Sequence, residues 1–331
     1  MDKTSKIIQS PYVRKIMNIE ISLENKGLKM DNKYNPLFMI ERFGYNNLIE
    51  KYQDVFLDSN NKFKENTKFS DIVDLFYFDL KLRKEVLNII QLFELHFKTA
   101  MVEVISLNIS TEYDKYTVLD NFIESYEYKD ENNNTYGRKA ERRKLRRNCF
   151  NYYKKHFNLG PKPNLSELIS VMYFGDLEDW YFLLKDDLKK EVAGYIQFGV
   201  SYGILDLEKF GDPTVIVDPT IKLYAEFRNQ AAHEGILFNY YKSKVGLAVK
   251  KVLFRNKNIV PPEKQYHCGI GLLLFFSYCL GDKYFFDVFD KKLFHLVNSY
   301  IDNHPERKNI IHDMGLDILD QIDSRFNELM Q

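Results

Sequence analysis

Apolar side chains recur every three or four residues between positions 71 and 107, at Leu75, Phe78, Leu82, Val86, Ile90, Phe93, Phe97, Ala100 and Val104. That spacing lines one face of a helix and predicts a long amphipathic α-helix over the whole stretch. Shorter runs of the same period cover residues 37–56, 165–184, 220–237, 269–278, 291–301 and 310–330. Two-residue alternation between turn signals is scarce, so the pattern predicts an all-α fold, a helical bundle with additional helices. The polar, turn-rich stretch 126–137 and the break at 256–264, around Pro261 and Pro262, read as surface loops, and the basic residues after the first loop open another helix. Neither stretch is long or biased enough to be an interdomain linker, and no internal repeat is present. The expected organisation is one helical domain, residues 1–259, with a C-terminal helical extension, residues 260–331, packed on it.

With 331 residues and 45% hydrophobic side chains the chain has the material for a sizeable core. The longest apolar stretch, 269–281, is too short to span a bilayer, and no basic start followed by a long apolar run marks a leader. A cytoplasmic protein without a membrane partner is expected. Cys149, Cys268 and Cys279 form no CxxC pair and are odd in number, which argues against structural zinc and against a disulfide framework. No metal and no cofactor is expected.

Lysine and arginine together balance aspartate and glutamate, 47 against 47, so only local clustering bears on a nucleic-acid partner. Residues 138–155, RKAERRKLRRNCFNYYKK, set nine basic side chains against the single acid Glu141. Within this run Arg142, Arg143, Arg146 and Arg147 are candidate contacts to an RNA backbone, with Tyr152, Tyr153 and Phe157 as stacking partners for unpaired bases. A solvated helix face paired with acidic neighbours is the competing reading.

Candidate chemistry lies in residues 223–241, LYAEFRNQAAHEGILFNYY, where Arg228, Asn229 and His233 are spaced as RNxxxH inside a predicted helix. Asn229 and His233, four apart, share a face, and Arg228 lies roughly 140° round the axis at about 100° per residue, within reach of its long arm. Metal-free RNA cleavage needs such groups. Histidine suits proton transfer from the ribose 2′-hydroxyl or to the 5′-oxygen near neutral pH, and a forked guanidinium holds the charge that builds on phosphorus. Asparagine orients the histidine or binds a phosphate oxygen. The small Ala231 and Ala232 permit close approach of a second element, and Gly235 caps or bends the helix end.

The bare pattern is not specific: with 12 arginines and 7 histidines, chance alone gives roughly a quarter of an Arg-x4-His match. A second pair, Arg307 and His312, has the same spacing, but Lys308 follows the arginine and Pro305 puts it in a first helical turn. It reads as a coincidence on a solvated face.

Four blocks in order carry more weight than the spacing. Residues 19–52 hold Gly27-Leu28 and Gly44-Tyr45. Residues 78–105 hold Leu82-Arg83 and Glu94-x-His96-Phe97-Lys98. Residues 165–184 surround Phe174-Gly175, and the RNxxxH block is followed by Leu237-Phe238-Asn239. In these blocks the chain resembles the Abi-like (AbiD/AbiF) abortive-infection proteins of the HEPN superfamily. It departs from the family at Lys98, where arginine is usual, and at Ala231 and Glu234, in place of a cysteine and a second histidine. The arginine, asparagine and first histidine are intact.

The resemblance implies a HEPN helical fold and a metal-independent endoribonuclease toxin of phage defence that cleaves single-stranded RNA. It implies a homodimer whose two motifs meet in one cleft, and a restraining antitoxin, either a protein or a small non-coding RNA. It also brings Glu94 and His96 near the cleft as supporting residues; a Glu94 salt bridge and a satisfied polar His96 are the alternative. A HEPN module that binds RNA without turnover is the rival function and a purely structural helical adaptor the third, and RNA incubated with the protein in EDTA separates the three.

Overall fold

A computed structural model describes residues 11–129, 135–198, 212–233, 235–240, 269–279 and 283–316. In chain order its longer elements are α1 (Pro11–Asn25), α2 (Pro36–Phe43), α3 (Phe69–Asn108), β1 (Ser125–Lys129), β2 (Thr135–Glu141), α4 (Arg142–Phe157), α5 (Leu165–Val171), α6 (Phe174–Leu183), α7 (Asp186–Phe198), α8 (Thr214–Ala232), α9 (Gly269–Cys279) and α10 (Lys283–Asn303). The fold is all-α apart from one two-stranded sheet. None of its described helices is long and apolar enough to cross a membrane.

The chain divides into two compact units that do not follow chain order: one holds Met1–Arg83 and His295–Lys308, the other Lys84–Phe294 and Asn309–Gln331. Two of the boundaries therefore fall inside α3 and α10, and the third falls between Lys308 and Asn309. All nine apolar positions of the long-helix pattern are buried along α3, as a continuous apolar stripe requires.

In the first unit, α2 begins at Asn35, whose side chain accepts the Phe38 N–H at 3.1 Å, with Pro36 next, and it ends at Gly44 with φ 80°. That left-handed residue stops the helix. The pattern over 37–56 therefore breaks into α2 and two short turns, Asn46–Glu50 and Gln53–Phe56. A polar cluster, buried at Tyr52 and Asp79 and exposed at Lys33, lies along α3. The Tyr52 hydroxyl donates to Asp79 at 2.9 Å, and Asp74 bonds the Tyr34 hydroxyl at 2.8 Å, Lys33 at 2.7 Å and His304 Nε2 at 3.1 Å.

In the second unit, the run 165–184 is two helices, because Met172 and Tyr173 are extended between them. A capping box starts α5: Asn164 accepts the Glu167 N–H at 2.9 Å, and Glu167 accepts the Asn164 N–H at 2.8 Å. The polar stretch expected as a loop forms an antiparallel hairpin instead, with Tyr126 opposite Ala140 and Lys129 opposite Thr135. Tyr126 stacks on Phe182 at 4.7 Å and Ala140 is buried, which anchors strands whose remaining residues look like a turn. Helix α4 accordingly starts at Arg142, and residues 138 and 139 belong to β2. The spacing gave no warning of α1 or α7. Of the run 310–330, one turn, Ile310–Asp313, is helical, and residues 317–331 lie outside the described residues.

Candidate functional site

Helix α8 is held from three sides. Its inner face, including Ile216, Val217, Ile221, Leu223, Tyr224, Phe227 and Ala231, is buried. Asp218 accepts the Tyr181 hydroxyl at 2.7 Å and Lys189 at 3.1 Å. Burial pushes the Asp218 carboxyl above its ordinary range, and Lys189 and Tyr181 oppose that rise. One turn on, Lys222 pairs with Glu178 at 2.5 Å and lies 4.5 Å over the Phe182 ring. A further half-turn brings Tyr224, whose hydroxyl bonds that of Ser277 and whose ring meets Phe93 edge-on at 4.6 Å. Helix α6 is the hub of these bonds, since it supplies Glu178, Tyr181 and Phe182.

The motif occupies the exposed end of α8. The helix stops at Ala232, earlier than the apolar period suggested, and His233 caps it with φ −99°, its N–H donating to the Asn229 carbonyl at 3.0 Å. The Gly235 N–H then reaches back to the Gln230 carbonyl at 2.9 Å, a six-residue closure common at helix ends. The Gln230 side-chain amide donates to the Ile236 carbonyl at 3.0 Å. Leu237 and Phe238 are buried, and Tyr240 packs edge-on against Phe227 at 5.2 Å. This closure turns the chain sharply, so that Asn229 and His233 are exposed and Arg228 is half-buried beside them. Among the described residues no hydrogen bond or ion pair takes up these three side chains. The spacing pointed to the motif but not to Gln230, which fixes the turn carrying its histidine.

Glu94 and His96 lie on α3 next to Phe93, the residue that meets Tyr224. Glu94 pairs with Lys98 at 2.9 Å, and Lys98 also donates to the Ser170 carbonyl at 3.3 Å. The His96 ring lies 6.2 Å from that of Tyr195. Among the described residues neither side chain bonds Arg228, Asn229 or His233.

The basic run separates into different roles. Arg142 is tied to backbone, its Nη1 donating to the carbonyls of Leu119 at 3.3 Å and Phe122 at 3.5 Å, with Asp120 at 3.8 Å. Arg143, Arg146 and Arg147 are exposed. Tyr152 and Tyr153 are buried, their hydroxyls donating to Asp176 at 2.6 Å and to the Gly160 carbonyl at 2.5 Å, so they are not open to bases. The exposed aromatic ring of α4 is Phe150.

Arg307 is not on a solvated face: it is buried, donates to the Val55 carbonyl at 3.3 Å and covers the Phe56 ring at 4.5 Å. His312 is exposed on a separate helical turn. Cys149 is buried, and burial pushes its thiol up to about 12, far from a reactive thiolate. Among the described residues no cluster of histidine, cysteine and carboxylate side chains is arranged to hold a metal ion.

No curated protein and no solved structure matches the chain. The family model of the Abi-like proteins matches residues 39–239, which span α3, the α6 hub and the whole RNxxxH turn. The chain therefore belongs to the Abi-like protein family, which assigns it a role in abortive infection, a defence against phage.

Proposed function

We propose that the chain is a HEPN-type, metal-independent endoribonuclease toxin that cleaves single-stranded RNA through Arg228, Asn229 and His233. The observation that carries this reading is the joint presentation of the three side chains on the last turn of α8, around a histidine that the Gln230 closure holds off the helical path.

In the proposed reaction His233 takes the proton from a ribose 2′-hydroxyl as its oxygen attacks the adjacent phosphorus. The bond from phosphorus to the 5′-oxygen breaks, and that oxygen takes a proton from an acid on the opposite side. The products are a 2′,3′-cyclic phosphate and a 5′-hydroxyl. Arg228 holds the negative charge that builds on the phosphoryl oxygens, and Asn229 orients the imidazole or binds one of those oxygens. One histidine cannot serve both ends of an in-line displacement, so the acid is His233 of a second copy, and the working site is composite in a two-fold dimer. Cleavage of cellular RNA stops an infected cell, and an antitoxin, protein or small RNA, restrains the enzyme before infection.

Purified protein incubated with single-stranded RNA in EDTA tests this. Fragments ending in 2′,3′-cyclic phosphate support it, whereas binding without cleavage favours a regulatory RNA-binding module.

A further inference from the structure

Helix α4 carries seven lysines and arginines and no acid, and its N-cap Glu141 makes no side-chain cap. Arg143 stands in its first turn, where the helix dipole is already positive, and Arg146 and Arg147 follow three and four residues on, so like charges crowd one face and raise the energy of the helix. Nearby carboxylates do not relieve this. Asp114 is held by Lys162 at 2.5 Å and Asp120 lies 3.8 Å from Arg142. Among the described residues no ion pair reaches Arg143, Arg146 or Arg147. Uncompensated like charge of this kind is a local conflict that a chain keeps where function needs it.

The three arginines and Phe150 fall at positions one, four, five and eight of the sequence 143–150, and so share one face of α4. That face lines a groove of about 690 Å³ whose far wall is the segment 113–120, where Asp114 and Asp120 also stand. Phe150 is 49% exposed there. Its ring is backed by Tyr153 at 6.4 Å, which meets Tyr113 at 5.4 Å and is pinned through its hydroxyl to Gly160. The opposite face of α4 is fixed by Asp176, which accepts from Asn148 at 2.9 Å and Tyr152 at 2.6 Å. Helix α4 thus offers to the same groove one open aromatic ring and three exposed guanidinium groups without an ion pair among the described residues.

We propose that this groove is a binding seat for single-stranded RNA, other than the RNxxxH end of α8, with phosphates on Arg143, Arg146 and Arg147 and an unpaired base stacked on Phe150. The forked guanidinium matches phosphate oxygens, and a ring open on one side takes a base only when that base is free of its own stack. An acidic peptide meets the charge but has no use for the ring, and a duplex presents no free base face. Arg142, spent on the Leu119 and Phe122 carbonyls, is a brace for the groove. The identity of the polymer rests on the ribonuclease reading; the seat itself does not depend on cleavage.

The test is fluorescence anisotropy with a short labelled single-stranded RNA over a salt series, in a His233→Ala background so that the RNA persists. Changing Arg143, Arg146 and Arg147 together to alanine should lower the slope of log affinity against log salt by about two units, at about 0.7 per phosphate contact on a single strand. Phe150→Ala should weaken binding about tenfold with the slope kept, and Phe150→Trp should restore it. Arg142→Ala should lower the melting temperature and keep the slope, and circular dichroism checks that every variant is folded. An unchanged slope in the triple variant, or unchanged affinity in Phe150→Ala, overturns the seat. So does displacement of the labelled strand by duplex RNA or an acidic peptide as readily as by unlabelled single strand. Cleavage assayed in parallel on chains with His233 intact keeps the two readings apart: binding by this groove without cleavage sinks the ribonuclease alone, and cleavage without the slope change sinks the groove alone.

Discussion

The Gln230 side-chain amide donates to the Ile236 carbonyl at 3.0 Å, across the turn that carries His233. A Cβ added at Gly235 would stand 2.2 Å from that same amide nitrogen. Gly235→Ala should therefore displace the Gln230 side chain and break the bond to Ile236, costing about 1 kcal/mol and lowering RNA cleavage by about tenfold through a misplaced His233. Gln230→Ala should cost a similar amount. The double variant should be no worse than Gln230→Ala alone, because the clash needs both side chains. Additive losses in a thermal-melt cycle would mean that the two residues act independently.

Lys222 and Glu178 join α8 to α6 with little exposure on either side, 13% and 11%. Lys222→Met strands a buried carboxylate and should cost about 3 kcal/mol, and adding Glu178→Leu should recover most of it. Denaturant melts of the two variants check this; equal stability of Lys222→Met and the parent would show that the pair does not hold the helix.

Acid should weaken the first unit through Asp74. Burial pushes its carboxyl up, but the bonds from His304, Lys33 and Tyr34 outweigh that and bring it down to about 2. A depressed carboxyl contributes stability that is complete above the unfolded value, near 4, and is lost as pH falls through the folded one. The loss therefore falls between about pH 4 and pH 2. It is on the order of 1 kcal/mol once solvent screening is allowed for. Asp74→Asn should remove that part of the pH dependence, and an unaltered acid limb in stability measured against pH would contradict it.

Mixing parent chains with His233→Ala chains tests the composite site. Each heterodimer holds one histidine where the proposed reaction uses two, so excess variant should lower cleavage further than dilution of the parent alone. Full activity at concentrations where the chain is monomeric would sink the shared site.

The long helix was legible because its apolar period runs unbroken from Leu75 to Val104, within a helix of 40 residues, Phe69–Asn108, and every position it marked is buried. The hairpin was not, because its sheet depends on Tyr126 finding Phe182, a residue far along the chain. The motif was legible as residue types at a spacing. Its local geometry was not: the helix ends before His233 because of main-chain bonds from Gly235 and a side-chain bond from Gln230, neither of which leaves a periodic trace. In the basic run, charge was visible but burial was not, so Tyr152 and Tyr153 stood in for Phe150.

The single-turnover rate of RNA cleavage in EDTA by His233→Ala, set beside His312→Ala, tests the central claim most directly. Loss of a proton-transfer group should lower the rate by on the order of 10² to 10⁴ with the fold intact by circular dichroism, while His312→Ala should cleave like the parent. Parental cleavage by His233→Ala, or an equal loss in His312→Ala, would contradict the assignment.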